Sequence, residues 1–152
     1  MRARRGFSLL ELLWAMIIVS LLTGIAIPKL TDTIRRARAA AAVADIRVIY
    51  DGVTNYNAEY NSYPATAGMG VVPRALASYL PNNFKFVKTD YSLQYNNWTI
   101  YTYVSRRPTM TNIIGITIRA RDARLTRIVQ QLLATTPQFG SGTTATFIII
   151  GL

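Results

Sequence analysis

Glu11 is the one residue in this chain whose position demands a chemical reason. It stands in a run from Phe7 to Ile27 that carries no other formal charge, with Ser8, Ser20 and Thr23 as its other polar residues and Gly24 as its one glycine. A carboxylate about one turn inside a hydrocarbon layer costs a few kcal/mol (~2.5–3.5 at the centre) unless something neutralises it. A cut between Gly6 and Phe7 would supply the partner, because it frees a positive α-amino group four residues away. In a bundle of identical helices, Glu11 of one copy could then neutralise the amino terminus of its neighbour and fix the axial register between them. Within one chain the same two groups lie a helical turn apart, so an intramolecular pair is the competing account.

The rest of the chain offers little other chemistry. It contains no cysteine and no histidine, which removes thiol or imidazole nucleophiles, Ser-His-Asp triads, disulfides and the usual zinc ligands. Beyond Glu11 the acids are Asp32, Asp45, Asp51, Glu59, Asp90 and Asp122. They are scattered, without the pairing that acid–base catalysis or a cation cage would need. The expectation is no enzyme, no catalytic residue, no cofactor and no metal. Net charge is +10, of which Arg2, Arg4 and Arg5 contribute three ahead of the apolar run. The remaining +7 reads first as a solubilising surface and second as an attraction for acidic polymers or lipid.

The element that carries Glu11 is long enough to cross a membrane. At about 1.5 Å per residue, Phe7 to Ile27 spans roughly 31 Å as a helix, close to the ~30 Å bilayer core. The leading arginines would stay cytoplasmic, placing everything after Lys29 outside. A secretory signal peptide has a shorter apolar run of ~7–15 residues and a cleavage site on its far side. An ordinary signal anchor fits the length and leaves Glu11 unexplained.

Arg5-Gly6-Phe7-Ser8-Leu9-Leu10-Glu11-Leu12-Leu13, with its short basic leader and the apolar run behind it, resembles the prepilin signature of type IV pilins and type II secretion pseudopilins. The resemblance covers about the first thirty residues, ending near Pro28. It implies cleavage after Gly6 by a prepilin peptidase, methylation of the Phe7 amine, and a docking role for Glu11 during filament assembly. It also implies an inner-membrane assembly platform and identical or homologous subunits as partners. Localisation would be the bacterial inner membrane, single-pass with a cytoplasmic amino terminus, and then an extracellular or periplasmic filament. In that family the stretch holding Gly24 and Pro28 can kink or melt on assembly; a simple kink or the membrane exit accounts for Pro28 equally well. Retention of Glu11 argues against the tip pseudopilin, which lacks this carboxylate. Gln138 to Thr144 has no carboxylate and so lacks the calcium loop of some pseudopilins.

Four regions follow: a leader (1–6), a membrane or filament-core helix (7–28), the outer half of the same helix (29–62), and a globular region (63–152). Leu30, Ile34, Ala37, Ala41, Ala44, Val48, Val53 and Tyr56 recur at spacings that suit the apolar face of an amphipathic helix, predicting one helix from about Ser8 to Tyr60, on the order of 80 Å long. Asn57, Asn61 and Ser62 before Tyr63-Pro64 read as its end. Proline and glycine from Pro64 to Phe86 predict a connecting loop, with Arg74 to Tyr79 able to form a short helix. Tyr91–Tyr95 and Trp98–Val104 predict two strands turned at Asn96-Asn97. Ile114, Ile116 and Ile118 alternate with polar or small residues as a half-buried strand. Asp122 predicts the cap of a helix whose Leu125, Ile128, Val129, Leu132 and Leu133 share one face. Pro137 to Gly142 predicts a turn and Thr144 to Ile150 a closing strand. The fold class is α+β and pilin-like, a long helix against an antiparallel sheet with a short extra helix.

Two functional readings come from this. The first is a filament subunit, with a secretion pseudopilin as its variant. The second is a membrane-anchored minor pilin or receptor that holds nucleic acid through Arg106, Arg107 and the hairpin residues Tyr91, Tyr95, Tyr101 and Tyr103. Aromatic residues in strands more often pack a core, which ranks the second reading below the first.

Overall fold

The computed structural model describes residues 8–104 and 107–150, the side chains of 101–109 apart. It divides into two units, Met1–Arg35 and Arg36–Leu152. Helix α1 runs unbroken over Leu9–Tyr60 with Pro28 inside it. In the first unit its side chains are almost all exposed. In the second unit it buries Ala39, Ala42, Val43, Ile46, Ile49, Gly52 and Val53 on one face. That face matches the sequence spacing at its far end, where Val53 is buried and Val48 and Tyr56 pack against the core, and departs from it upstream, where Ala37, Ala41 and Ala44 are exposed. The alanine-rich stretch is apolar all round, so its periodicity sets no phase. The phase is set downstream by the large Ile46 and Ile49, which bury more surface than any alanine.

After α1 the chain passes through a 3₁₀ turn at Arg74–Tyr79, which buries Leu76, and enters the sheet. Strands β1 (Tyr91–Val104), β2 (Arg107–Ala120), β3 (Gln138–Phe139) and β4 (Thr144–Ile150) form one antiparallel sheet in the order β1-β2-β4-β3. Between β2 and β3 lies α2 (Ala123–Leu132), whose amino end is capped by Asp122 Oδ1 accepting from the Arg124 N–H at 2.9 Å. Alternate strand residues, among them Leu93, Tyr95, Ile116, Ile118, Ala145 and Phe147, face α1 and α2 and are fully buried. The expected α+β architecture is therefore present, including the helix behind Asp122 and the closing strand.

Asn96-Asn97 makes no turn. β1 continues straight through both residues, pairing Asn96 with Gly115 and Asn97 with Ile114, and the reversal comes between Val104 and Arg107. The reason is hydrogen bonding across the sheet. Asn96 Nδ2 donates to Thr117 Oγ1 at 2.9 Å, and the Thr117 and Thr146 hydroxyls meet at 2.8 Å, forming a buried polar row over three strands. The Asn97 N–H donates to Thr66 Oγ1 at 2.8 Å and its Nδ2 to Pro64 O at 3.0 Å. The Asn96, Thr117 and Thr146 bonds satisfy polar groups that would otherwise be buried unpaired, and the bonds of Asn97 tie the strand to the connecting segment, which together outweigh the local turn preference. The 137–142 stretch is likewise more than a turn, since Gln138 and Phe139 form β3 before Gly140 (φ 120°) and Gly142 (φ 65°) reverse the chain.

Candidate assembly segment at the amino terminus

The amino end of α1 is closed by Ser8. Its Oγ accepts from the Leu10 N–H at 3.3 Å, and its carbonyl accepts from the N–H groups of Glu11 and Leu12 at 3.0 and 3.2 Å. Ser8 and Glu11 thus stand at the N-cap and third positions of a helix, the Ser-x-x-Glu pattern of a capping box. That signal was present in the sequence and marks the helix start independently of any processing. Glu11 lies in the first turn, where the positive end of the helix dipole favours a carboxylate.

Around Glu11 the surface is apolar and open. Leu9 is 88% exposed, and Leu10, Leu12, Leu13, Trp14 and Met16 are all exposed. The most apolar window of α1 has a mean hydropathy of 2.2 and buries nothing within the chain. Its few polar side chains are satisfied internally: Ser20 Oγ donates to Met16 O at 2.8 Å and Thr23 Oγ1 to Val19 O at 2.7 Å. Such back-bonding lets hydroxyls sit among hydrocarbon without an unpaired donor. A segment with these properties fits membrane anchoring.

Gly24 and Pro28 are four residues apart in one continuous helix. The bond lost at Pro28 is therefore the one its nitrogen would have given to the Gly24 carbonyl. Nothing lies within 4 Å of where a Gly24 side chain would begin. Both residues act on the same turn of α1, which the spacing alone could have shown.

Gly6, Phe7 and Arg106 lie outside the described residues, and Arg107 is described only through its backbone in β2. Of the hairpin tyrosines, Tyr91 and Tyr95 are core residues, 7% and 0% exposed. They offer no ring to a nucleobase. Several of the acids after Glu11 have partners within the chain: Asp32 pairs with Arg35 one turn away at 3.1 Å, Asp90 with Arg38 at 3.0 Å, and Asp45 with Lys88 at 3.2 Å. Asp45 also accepts from the Tyr91 hydroxyl at 2.6 Å, and Glu59 from that of Tyr79. No three acids among the described residues stand close enough to hold a metal ion.

Comparison with known proteins agrees with the amino-terminal geometry. A family model described as "Prokaryotic N-terminal methylation motif" matches residues 1–27. Neither the curated proteins nor the solved structures give a match to the chain. An apolar, self-satisfied helix start with a single carboxylate in its first turn coincides with that motif, so residues 1–27 carry the prepilin-type signature of type IV pilins and pseudopilins.

Proposed function

We propose that the chain is a structural subunit of a type IV pilus-like filament, and not an enzyme. It is inserted in the inner membrane, cleaved after Gly6 by a prepilin peptidase, methylated on Phe7, and polymerised through the apolar half of α1. The observation that carries this reading is the coincidence of the methylation motif at residues 1–27 with an exposed apolar helix bearing Glu11 in its first turn. The wholly exposed apolar surface needs either lipid or copies of itself for cover. Glu11 gives copies a reason to align at one axial position.

The decisive experiment is mass analysis of the native protein from membranes. The expected amino terminus is Phe7 carrying one methyl group. An intact Met1 start, or a mature chain beginning well beyond Phe7, would overturn the reading.

A further inference from the structure

β1 is the outermost strand of the sheet and has β2 on one side only. Three contacts show which of its peptide groups face the other side. The Gly70 N–H donates to Leu93 O, the Leu93 N–H to Phe86 O, and the Asn97 N–H to Thr66 Oγ1, each at 2.8 Å. All three partners belong to the connecting segment between α1 and β1, so the peptide groups of Leu93 and Asn97 point away from β2. In an antiparallel ladder this orientation returns at every second residue. The register with β2 runs unshifted from Tyr91 to Val104. Hence the N–H and C=O groups of Thr99, Tyr101 and Tyr103 point outward as well. Among the described residues, the connecting segment last reaches this edge at Asn97.

Proteins normally blunt an open edge with charge, proline or a bulge. From Tyr91 to Ser105 there is no charged residue and no proline, and the pairing has no bulge. The other side of the same ribbon is treated differently. β4 covers β2 over Ile114–Arg119, and beyond that cover stands Pro108, paired with Tyr103. Because Tyr103 points its peptide groups outward, Pro108 points its nitrogen to the far side of β2, where it has no hydrogen to give.

We propose that Trp98–Val104 is a strand-addition edge, and that its partner is the same segment of a second copy, paired antiparallel. The occupant follows from the edges this chain can offer. Among the described residues, β3 has two residues and the far edge of β2 is interrupted by Pro108, which leaves β1 as the strand with a free run. Paired with itself about Tyr101, it sets Thr99 opposite Tyr103 and opposes no like charges. Its threonine, isoleucine, tyrosine and valine suit a strand. Such a contact is isologous and closes on two copies, whereas a filament grows by head-to-tail contacts. The inference therefore stands apart from the filament reading, and either can fail without the other.

Because the chain has no cysteine, a single introduced cysteine reports only contacts between copies. Full-length Tyr101→Cys, purified in detergent and mildly oxidised, should form disulfide dimers at least tenfold faster than Ser141→Cys, an exposed control at the β3–β4 turn. Directly opposed residues lie about 5.5 Å apart between Cα atoms, within disulfide reach. Adding Thr99→Pro removes one outward N–H and leaves the β1–β2 backbone ladder intact, losing only the exposed side-chain bond from Thr99 Oγ1 to Asn112 Oδ1; it should cut the dimer yield at least tenfold, whereas Asn112→Ala, which loses the same side-chain bond, should not. Thr99→Lys is the second blocking variant if the proline disturbs folding. Equal crosslinking by Tyr101→Cys and Ser141→Cys overturns the proposal, as does a Tyr101→Cys dimer that survives both blocking changes.

Discussion

Tyr91 and Tyr95 show how single residues in this chain trade chemistry for structure. Burial pushes the Tyr91 phenol above its ordinary value of 10.0, and the Asp45 carboxylate that accepts its proton pushes it further. Tyr95 is raised chiefly by burial, and its hydroxyl has no hydrogen-bond partner among the described residues. In both cases the folded state prefers the neutral phenol, so its affinity for the proton exceeds that of the unfolded chain. The stabilisation is complete below about pH 10 and is lost as pH climbs from there towards the raised folded values. Thermal unfolding followed against pH should show a fall beginning near pH 10 that is shallower in Tyr91→Phe/Tyr95→Phe. At neutral pH, Tyr95→Phe alone should be neutral to about 1 kcal/mol more stable, since it removes an unpaired buried hydroxyl. An equally steep alkaline fall in the double variant would assign the loss to lysine or to another phenol such as Tyr79, raised by its hydrogen bond to Glu59, instead. The core role of Tyr91 and Tyr95 was legible from the usual packing of aromatic residues in strands, while Tyr101 and Tyr103 lie outside the described side chains; which acid would meet Tyr91 was not legible, because Asp45 lies 46 residues away on another element.

At the scale of elements, legibility followed the strength of the pattern. α1 could be read from its long apolar run and the helical spacing behind it, the helix behind Asp122 from periodicity and a cap together, and the Thr144–Ile150 strand from its apolar, β-branched run after a turn. The buried face of α1 could not, since a run such as Ala39-Ala40-Ala41-Ala42 looks the same in every direction. The path through Asn96-Asn97 was hidden for a different reason, as its partners Thr117, Thr146, Thr66 and Pro64 come from three separate parts of the chain. The face assignment can be checked by unfolding free energies. Ile49→Ala, at a fully buried position, should cost about 2–5 kcal/mol. Ala44→Gln, on the face first read as buried, should change stability by less than ~0.5 kcal/mol. The reverse order would restore the sequence reading of the helix.

For the molecule as a whole, the question is why a carboxylate is kept where hydrocarbon would be cheaper. Lipid tails are as apolar as leucine, so moving α1 from bilayer to a bundle of copies gains little from hydrophobicity alone. In the proposed filament, burial among copies would give cohesion without an axial register, because Leu9, Leu10, Leu12 and Leu13 can meet a neighbour's apolar surface at many offsets. A charge pair between Glu11 and a neighbour's amino terminus singles out one offset, since any other leaves two charges unpaired in a dry bundle. Glu11→Ala should therefore insert into the membrane at least as well as the parent chain and be cleaved to Phe7 as before, while filament yield drops by an order of magnitude or more. Glu11→Gln should fail in the same way, because it keeps the shape and hydrogen bonding of the side chain and loses the charge. Glu11→Asp should retain partial assembly. Imaging of filaments and amino-terminal mass from the same cells separate the steps. Normal filaments from both neutral variants would show that register is set elsewhere on the chain, and that Glu11 serves chiefly as the third residue of the Ser8 cap.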